Sequence, residues 1–517
     1  MSSSNHGFLR KLWSEYCQGS TIYATRHLSS QLRIGERVWW FSWIGLALVA
    51  CFVAIVDVYD KWNVSPVFIS YDNRLHPVWA IPFPAITICP MARAQVELFN
   101  STDVYFRIDQ PAGISNLEYY RLRAMLHVCP YMSDFYEYND SLKMNYVQTL
   151  KFMSIPFEEM FRGCRYRNNR VDCATYFSES ITDSGVCYTF NAIDAEQLFR
   201  TENLQQDYLY STSYMDSYNW TLEDGYLDEF DPKAFPLRPI GGGLLAGLMV
   251  VLNTRKADQD FFCEGPVTGY KIGIHSPDEM PSVQNKFYRL SHQNVLTLVL
   301  KPELTYISQK VKKYPYYRRQ CYFSGERYLR YFKVYNQNNC LAECISNITA
   351  QECGCVGFAS PRSEDVPVCD GLDLFCPVRS LYKAYKKLET TDRENEVQHP
   401  CGCLPACTAI KYDVEISNLP WDFEAYARVL GYPTNEYDSM DPALLLIAFK
   451  SKWFLPLKRR ELIGVVDLLA KCGGLFGLLM GASVISFLEV VYYCIIRPCR
   501  NDYPGRDALR QVFPWVP

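Results

Sequence analysis

Two stretches of the chain are apolar for long enough to cross a bilayer, and they lie toward its opposite ends. Val38 to Val56 runs without a charged residue, close to the ~20 residues a helix needs to span the hydrocarbon layer. Trp39, Trp40 and Trp43 flank it on one side and Tyr59 and Trp62 on the other, as aromatic residues do at membrane interfaces. The second stretch begins at Leu462 and reads LIGVVDLLAKCGGLFGLLMGASVISFLEVVYYCII. Gly473, Gly477 and Gly481 recur every fourth residue along it, which puts small residues on one helix face and allows close helix approach. Asp467 and Lys471 stand i, i+4 near its outer end and Glu489 toward the other end. Ionisable groups within a span are costly and face a bundle interior or water. Gly481, Ala482 and Ser483 form a belt of three small residues mid-span, where backbone carbonyls can replace an ion's hydration shell.

Between these stretches the pattern changes to strands. Dense β-branched or alternating runs at 83–89, 247–252, 270–275, 295–300 and 412–417 predict a β core. Leu117, Tyr120, Leu122 and Met125 carry helical spacing within 114–162, and 382–399 reads as a helix end followed by an exposed loop. The segment 199–236 is acidic, aromatic and turn-rich; Glu223, Asp224, Asp228, Glu229 and Asp231 read as a solvated loop rather than an ion site. The predicted fold class is an α+β membrane protein: 1–37 a cytoplasmic N-terminus, 38–58 a first transmembrane helix, 59–460 an extracellular cysteine-rich domain, 461–496 a second, pore-lining helix, and 497–517 a cytoplasmic C-terminus.

Charge and cysteine usage orient this plan. Arg10, Lys11, Arg26, Arg33 and Arg37 outnumber Glu15 and Glu36 before the first span. Arg497, Arg500, Arg506 and Arg510 outnumber Asp502 and Asp507 after the second. Both ends are therefore expected inside, in a multi-pass protein of the plasma membrane. No removable signal peptide is expected, so the first span doubles as the anchor. Lys458, Arg459 and Arg460 stand just outside the second span, where a long translocated domain overrides the charge bias. Of the 21 cysteines, sixteen lie between Cys89 and Cys407, an even set that reads as a disulfide framework in an oxidising compartment. Asn63, Asn100, Asn139, Asn219 and Asn347 each begin an N-x-S/T sequon in the same interval, where glycosylation is possible only outside the cytosol.

Composition excludes other classes. A net charge of -4 over 517 residues argues against a nucleic-acid partner. No HExxH, GxSxG, phosphate-binding loop or GxGxxG is present, and the seven histidines are scattered, so neither an enzyme, a metal site nor a cofactor is expected.

Five segments together carry a family resemblance. FPAITICP (83–90), GVCYTFN (185–191), HSPDEMP (275–281), CGCLPAC (401–407) and RRELIGVVDLLAKCGGLFGLLMGASVISFLE (459–489) resemble the degenerin / epithelial sodium channel / acid-sensing ion channel family, most of all its insect pickpocket branch. The resemblance implies a sodium-preferring, amiloride-sensitive cation channel with sodium as the permeant ion. It would be a homotrimer or a heterotrimer with related subunits in the lipid bilayer, in a sensory or epithelial setting. Each subunit would have a β core with helical finger and thumb regions, and a pore helix that breaks or swaps at a G-x-S belt. On that match Gly481, Ala482 and Ser483 are the selectivity filter. Ala470 occupies the position where bulky residues hold degenerin channels open, and Asp467, Lys471 and Glu489 are pore-associated charges.

The same match implies the bridges Cys89–Cys187, Cys164–Cys173, Cys321–Cys407, Cys340–Cys403, Cys344–Cys401, Cys353–Cys376 and Cys355–Cys369; Cys129–Cys263 is the pair left over. Sequence alone leaves many connectivities open. Two departures stand out. Tyr23 and Ala24 occupy the places of the family's His-Gly gating motif, and Lys471 stands where relatives carry Asp or Asn. Three lysines around an outer pore repel cations unless Asp467 neutralises them, so both departures fit an accessory subunit. Two rival readings explain less. An ATP-gated-receptor-like two-span trimer wants a lysine-rich nucleotide site that cannot be identified. A non-conducting two-span receptor or adhesion protein explains the cysteines and sequons but not the glycine ladder or the charges within the span.

Overall fold

The computed structural model describes residues 13–28, 33–64, 67–108, 113–129, 145–206, 220–226, 234–283, 286–391, 401–429 and 440–497. The chain divides into a unit made of Met1–Phe68, Gln309–Arg319 and Arg460–Pro517, and a larger one made of Ile69–Ser308 and Gln320–Arg459.

In the smaller unit the first apolar stretch lies within one helix, α1 (Ile34–Val64), which overruns the expected 38–58 span at both ends. The charged residues Glu36, Asp57 and Lys61 extend it, and Lys61 pairs with Asp57 one turn earlier. Trp39, Phe41 and Phe52 are exposed along its length, as a lipid-facing helix requires. It is the one described helix long and apolar enough by itself to cross a membrane. The second apolar stretch is not one helix. It begins as strand to Glu461 and continues as α7 (Val465–Met480) and α8 (Val484–Val491), bent by 76° at the break between them. The segment 309–319 belongs to this unit: the Arg318 guanidinium lies 3.9 Å over the Trp62 ring, and Lys310 and the Tyr314 hydroxyl each bond Glu461 at 3.0 Å.

The larger unit is built on strands. In chain order they are β1 (Val67–Tyr71), β2 (His76–Pro77), β3 (Ala85–Pro90), β4 (Phe161–Tyr166), β5 (Asn169–Val171), β6 (Phe177–Thr182), β7 (Gly185–Phe190), β8 (Leu248–Arg255), β9 (Tyr270–His275), β10 (Tyr288–Leu290), β11 (Asn294–Ile307), β12 (Ala409–Pro420), β13 (Met440–Phe449), β14 (Trp453–Phe454) and β15 (Leu457–Glu461). One sheet runs β1-β15-β11-β13-β8-β4-β5, with β12 on the other side of β11; a second runs β10-β9-β3-β7-β6. Their facing sides make the main core. Leu296, Leu298 and Leu300 of β11 alternate into it, as do Val250 and Leu252 of β8, and Ile86, Ile88, Phe190 and Ile272 meet them from the second sheet. This period of two is what a half-buried strand requires.

The strand expected from Phe83 starts at Ala85. Pro84 has no N–H to give a ladder, and Phe83 instead sits fully buried with its ring edge-on to Phe190 and Phe449. The turn after β9 ties the sheet to a helix. The Asp278 carbonyl accepts from the side chains of Asn336 and Asn339 at the start of α5 (Gln337–Cys353). His275 is half-buried against the Thr87 hydroxyl, and desolvation of its ring pushes its imidazole down to about 4.

Eight disulfides cross this unit. Cys89–Cys187 joins β3 to β7, Cys164–Cys173 closes the β4–β5 hairpin, and Cys129–Cys263 joins two non-strand segments. Cys340–Cys403 and Cys344–Cys401 lace α5 to 401–407, nested inside Cys321–Cys407. Cys353–Cys376 and Cys355–Cys369 fasten the far end of α5 to the start of α6 (Cys376–Thr391), a helix that fills much of the stretch expected as helix end and loop.

Candidate ion-pathway site

The break in the second apolar stretch is written in its residues. Gly481 has φ +64°, the left-handed conformation that ends helices, and its N–H bonds the Gly477 carbonyl at 3.0 Å while the Ala482 N–H bonds that of Phe476. Ser483 is extended and begins α8: its N–H donates to the Ser486 hydroxyl at 3.0 Å and its own hydroxyl accepts from the Ser486 N–H at 3.4 Å. A glycine stop followed two residues later by a serine start therefore turns one apolar run into two helices. The turn lies at the end of α7, where helix carbonyls lack intrahelical partners.

The charges are placed differently from one another. The Asp467 carboxylate caps the start of α7, accepting the Gly464 N–H at 3.1 Å, where the helix dipole favours an anion. It does not neutralise Lys471: no ion pair joins the two among the described residues, and Lys471 is exposed one turn further on. Ala470 is exposed beside it, and a Cβ added at Gly473 or Gly474 would meet nothing within 4 Å in the single chain. Glu489 accepts two bonds from Thr21, from the N–H at 2.8 Å and the hydroxyl at 3.0 Å.

Those bonds reveal a partner that sequence reasoning missed. The Thr21 hydroxyl also meets the buried Ser486 hydroxyl at 2.8 Å, so one chain of polar groups runs from Ser483 through Ser486 and Thr21 to Glu489. The N-terminal helix at 13–19 is fixed alongside: Glu15 pairs with Arg497 at 2.8 Å, and the Tyr16 and Tyr493 rings meet edge-on at 5.5 Å. Gly19 gives the Tyr493 ring room, since an added Cβ would sit 2.6 Å from its hydroxyl and the ring would have to shift. Tyr23 and Ala24 follow in a short 3-10 helix, Tyr23–Leu28, whose His27 stacks on Trp40 of α1 at 4.1 Å. The available signal was the serine at 486, a polar residue three positions after Ser483 inside an apolar helix. If this relay is a unit, Thr21→Val and Glu489→Ala will each lower whole-cell current about fivefold, and the double variant no further than either. That is the signature of a coupling on the order of 1 kcal/mol, checked by a double-mutant cycle of current normalised to surface protein.

The remaining candidates lie elsewhere. Asn63, Asn100 and Asn347 are exposed, Asn100 with its side-chain oxygen capping α2 (Ser101–Arg107). Asn139 and Asn219 lie outside the described residues, as do Asp228, Glu229 and Asp231. Glu223 accepts the Ser324 N–H at 3.0 Å and Asp224 the Thr221 hydroxyl at 2.6 Å. Among the described residues no group of three His, Cys, Asp or Glu side chains is disposed to hold a metal.

Residues 16–493 match the family model described as amiloride-sensitive sodium channel. The chain belongs to that family. It is a cation-channel subunit of the amiloride-sensitive sodium channel class, and the match runs from the docked N-terminal segment through both sheets to α8. Similar proteins include pickpocket protein 28 of Drosophila melanogaster, 26% identical over 515 residues and covering 96% of this chain and 79% of that one. Sodium channel protein Nach of the same organism is 24% identical over 510 residues, covering 94% and 87%. Acid-sensing ion channel 4-B of Danio rerio is 23% identical over 426 residues, covering 80% and 63%.

Proposed function

We propose that this chain is a pore-forming subunit of a sodium-preferring, amiloride-sensitive channel of the plasma membrane, assembled as a trimer with copies of itself or related subunits. Gly481, Ala482 and Ser483 select the ion, α7 and α8 together make the second crossing, and both termini lie in the cytoplasm. Asn63, Asn100, Asn139, Asn219 and Asn347 carry the glycans of a sensory or epithelial cell-surface protein. The observation that carries this reading is the 76° break at three small residues within an apolar stretch, since a helix ending there can turn its last carbonyls toward a permeating ion. The open face at Ala470, Gly473 and Gly474 supports assembly, because small exposed residues on an apolar helix suit a neighbouring helix.

A second reading, an accessory subunit, draws support from Lys471. Its ammonium has no carboxylate partner among the described residues and would face cations near an outer pore. Recordings from cells expressing the chain alone and with a related subunit separate the two. Amiloride-blocked sodium current from the chain alone supports the first, current only on co-expression supports the second, and no change in either condition would sink both.

One gating variant follows. Ala470→Val adds two methyl groups at a face meant for close approach, and overpacking costs ~1–3 kcal/mol per site. In a conducting assembly the variant should raise resting current severalfold; an unchanged resting current would place Ala470 away from the closed-state contact.

A further inference from the structure

The larger unit holds a cavity of about 210 Å³ between the short helix Phe157–Met160, the start of β4, the end of β8 and the start of β13. Its lining combines charged, amide and apolar side chains, and the Ile155 carbonyl at its wall accepts from the Tyr188 hydroxyl of β7 at 3.1 Å. Asn253 is 3% exposed, yet its side-chain amide has no hydrogen-bond partner among the described residues. Val250 and Leu252 face the main core, so Asn253, the next residue of β8, points to the opposite face of the sheet.

Two opposite charges share the cavity wall without satisfying each other. Arg162 has no carboxylate partner among the described residues, and its one polar contact is the Met440 sulfur at 3.7 Å. It is the extra residue of a β-bulge, since Phe161 pairs with Leu252 and Gly163 with Val251, leaving Arg162 unpaired between them. Bulges re-aim a side chain and recur beside functional sites. Opposite it, the Glu159 Oε2 atom is buried and makes no hydrogen bond. Its nearest cation, Arg255 Nε, is 3.6 Å away and committed to Asp258 at 2.7 Å, while Arg255 Nη1 is held by Glu97 at 3.0 Å. The cavity therefore offers a ligand the solvent-facing Arg162 guanidinium, a Glu159 carboxylate paired only at 3.6 Å with Arg255, and the Asn253 amide. Ile155 and Met440 supply an apolar wall.

We propose that this cavity binds a small free α-amino acid. A lone anion would meet the Glu159 carboxylate and a lone cation the Arg162 guanidinium, whereas a zwitterion answers both. Its carboxylate lies on Arg162 and Asn253, its ammonium on Glu159, and its side chain against Ile155 and Met440. The volume is below the ~300–1,000 Å³ of ordinary ligand pockets, which favours a single amino acid over a peptide. The site would make the subunit responsive to extracellular amino acids through the β8–β13 pair.

Binding can be read without current, so its failure and that of the channel reading are distinguishable. With the full chain purified into lipid nanodiscs, titration calorimetry and saturation-transfer NMR are run with glycine, L-alanine and L-leucine. N-acetyl-L-leucine, which lacks the ammonium, and L-leucinamide, which lacks the carboxylate, are the comparison ligands. At least one free amino acid should bind saturably, with its blocked forms at least about tenfold weaker. Arg162→Ala and Glu159→Gln should each weaken binding about tenfold, the effect of a lost charge-assisted hydrogen bond, and Arg165→Ala, on the same strand, should leave it unchanged. No saturable binding of any of the three amino acids, equal binding of the blocked forms, or indifference to both Arg162→Ala and Glu159→Gln would overturn the proposal.

Discussion

Gly481→Val is expected to abolish current through any assembly to which this chain contributes its second apolar stretch. The residue sits at φ +64°, where its N–H and that of Ala482 close the end of α7 on the Gly477 and Phe476 carbonyls. An L residue in that conformation costs roughly 1–2 kcal/mol, and a β-branched one is a true outlier there. The alternative open to valine is to continue the helix. That removes the break before Ser483 and turns the helix-end carbonyls back into the ladder. Gly481→Ala should have a smaller effect, seen as a change in the sodium-to-potassium permeability ratio. The control is Gly477→Ala: a Cβ there would lie 3.8 Å from the Ala482 carbonyl oxygen, an ordinary contact, in a normal helical backbone. If the glycines serve only helix packing, Gly477→Ala and Gly481→Ala will be equally harmful and will act on surface assembly. If the belt selects ions, only the second will alter the ratio at equal surface protein. An unchanged ratio with Gly481→Ala and normal current with Gly481→Val would refute the assignment of the belt.

A large effect on stability is expected from the paired substitution Cys321→Ser with Cys407→Ser, which removes the outermost of three nested bridges. This bridge joins residues 86 apart, against 9 for Cys164–Cys173. With Cys340–Cys403 intact, the loop that Cys321–Cys407 closes runs through 321–340 and 403–407, and in the chain-entropy description it contributes roughly 3.4 kcal/mol against roughly 2.6 kcal/mol for the shorter bridge. A domain is stable by only about 5–15 kcal/mol, so the first loss takes a large part of the margin. It also frees the 401–407 segment that Cys340 and Cys344 hold, so the neighbouring bridges lose their register. Surface biotinylation should show the Cys321/Cys407 double variant nearly absent, and a Cys164→Ser with Cys173→Ser variant reduced but present. Equal surface levels of the two would show that loop length does not govern this framework.

Several features of the fold are legible from local pattern because their physics is local. A charge-free run of nineteen residues can only be a helix where water is absent, and α1 contains it. Leu296, Leu298 and Leu300 announce a strand by alternation alone, and β11 extends on either side of them. Sixteen cysteines confined to one interval imply crosslinking there, although spacing alone does not say which sulfur meets which. The N-terminal segment shows the limit most clearly. Nothing near Thr21 marks it as a partner of Glu489, 468 residues away, because a hydrogen bond across that separation leaves no periodic trace.

What the sequence determined by itself was the first apolar helix and the core strands, since hydropathy and alternation act on every residue wherever it sits. The small residues Gly481, Ala482 and Ser483 marked the second apolar stretch as special, but that one helix stops there and another starts was decided by the backbone. Only the tertiary structure decided which charges meet. Asp467 turns to its own helix start and does not pair with Lys471, Glu489 is taken by Thr21, and a bulge at Arg162 leaves that guanidinium and the Glu159 carboxylate facing a common cavity without joining. Charge pairing depends on distances of a few ångströms between residues that the chain keeps far apart, and a linear sequence carries no measure of that distance.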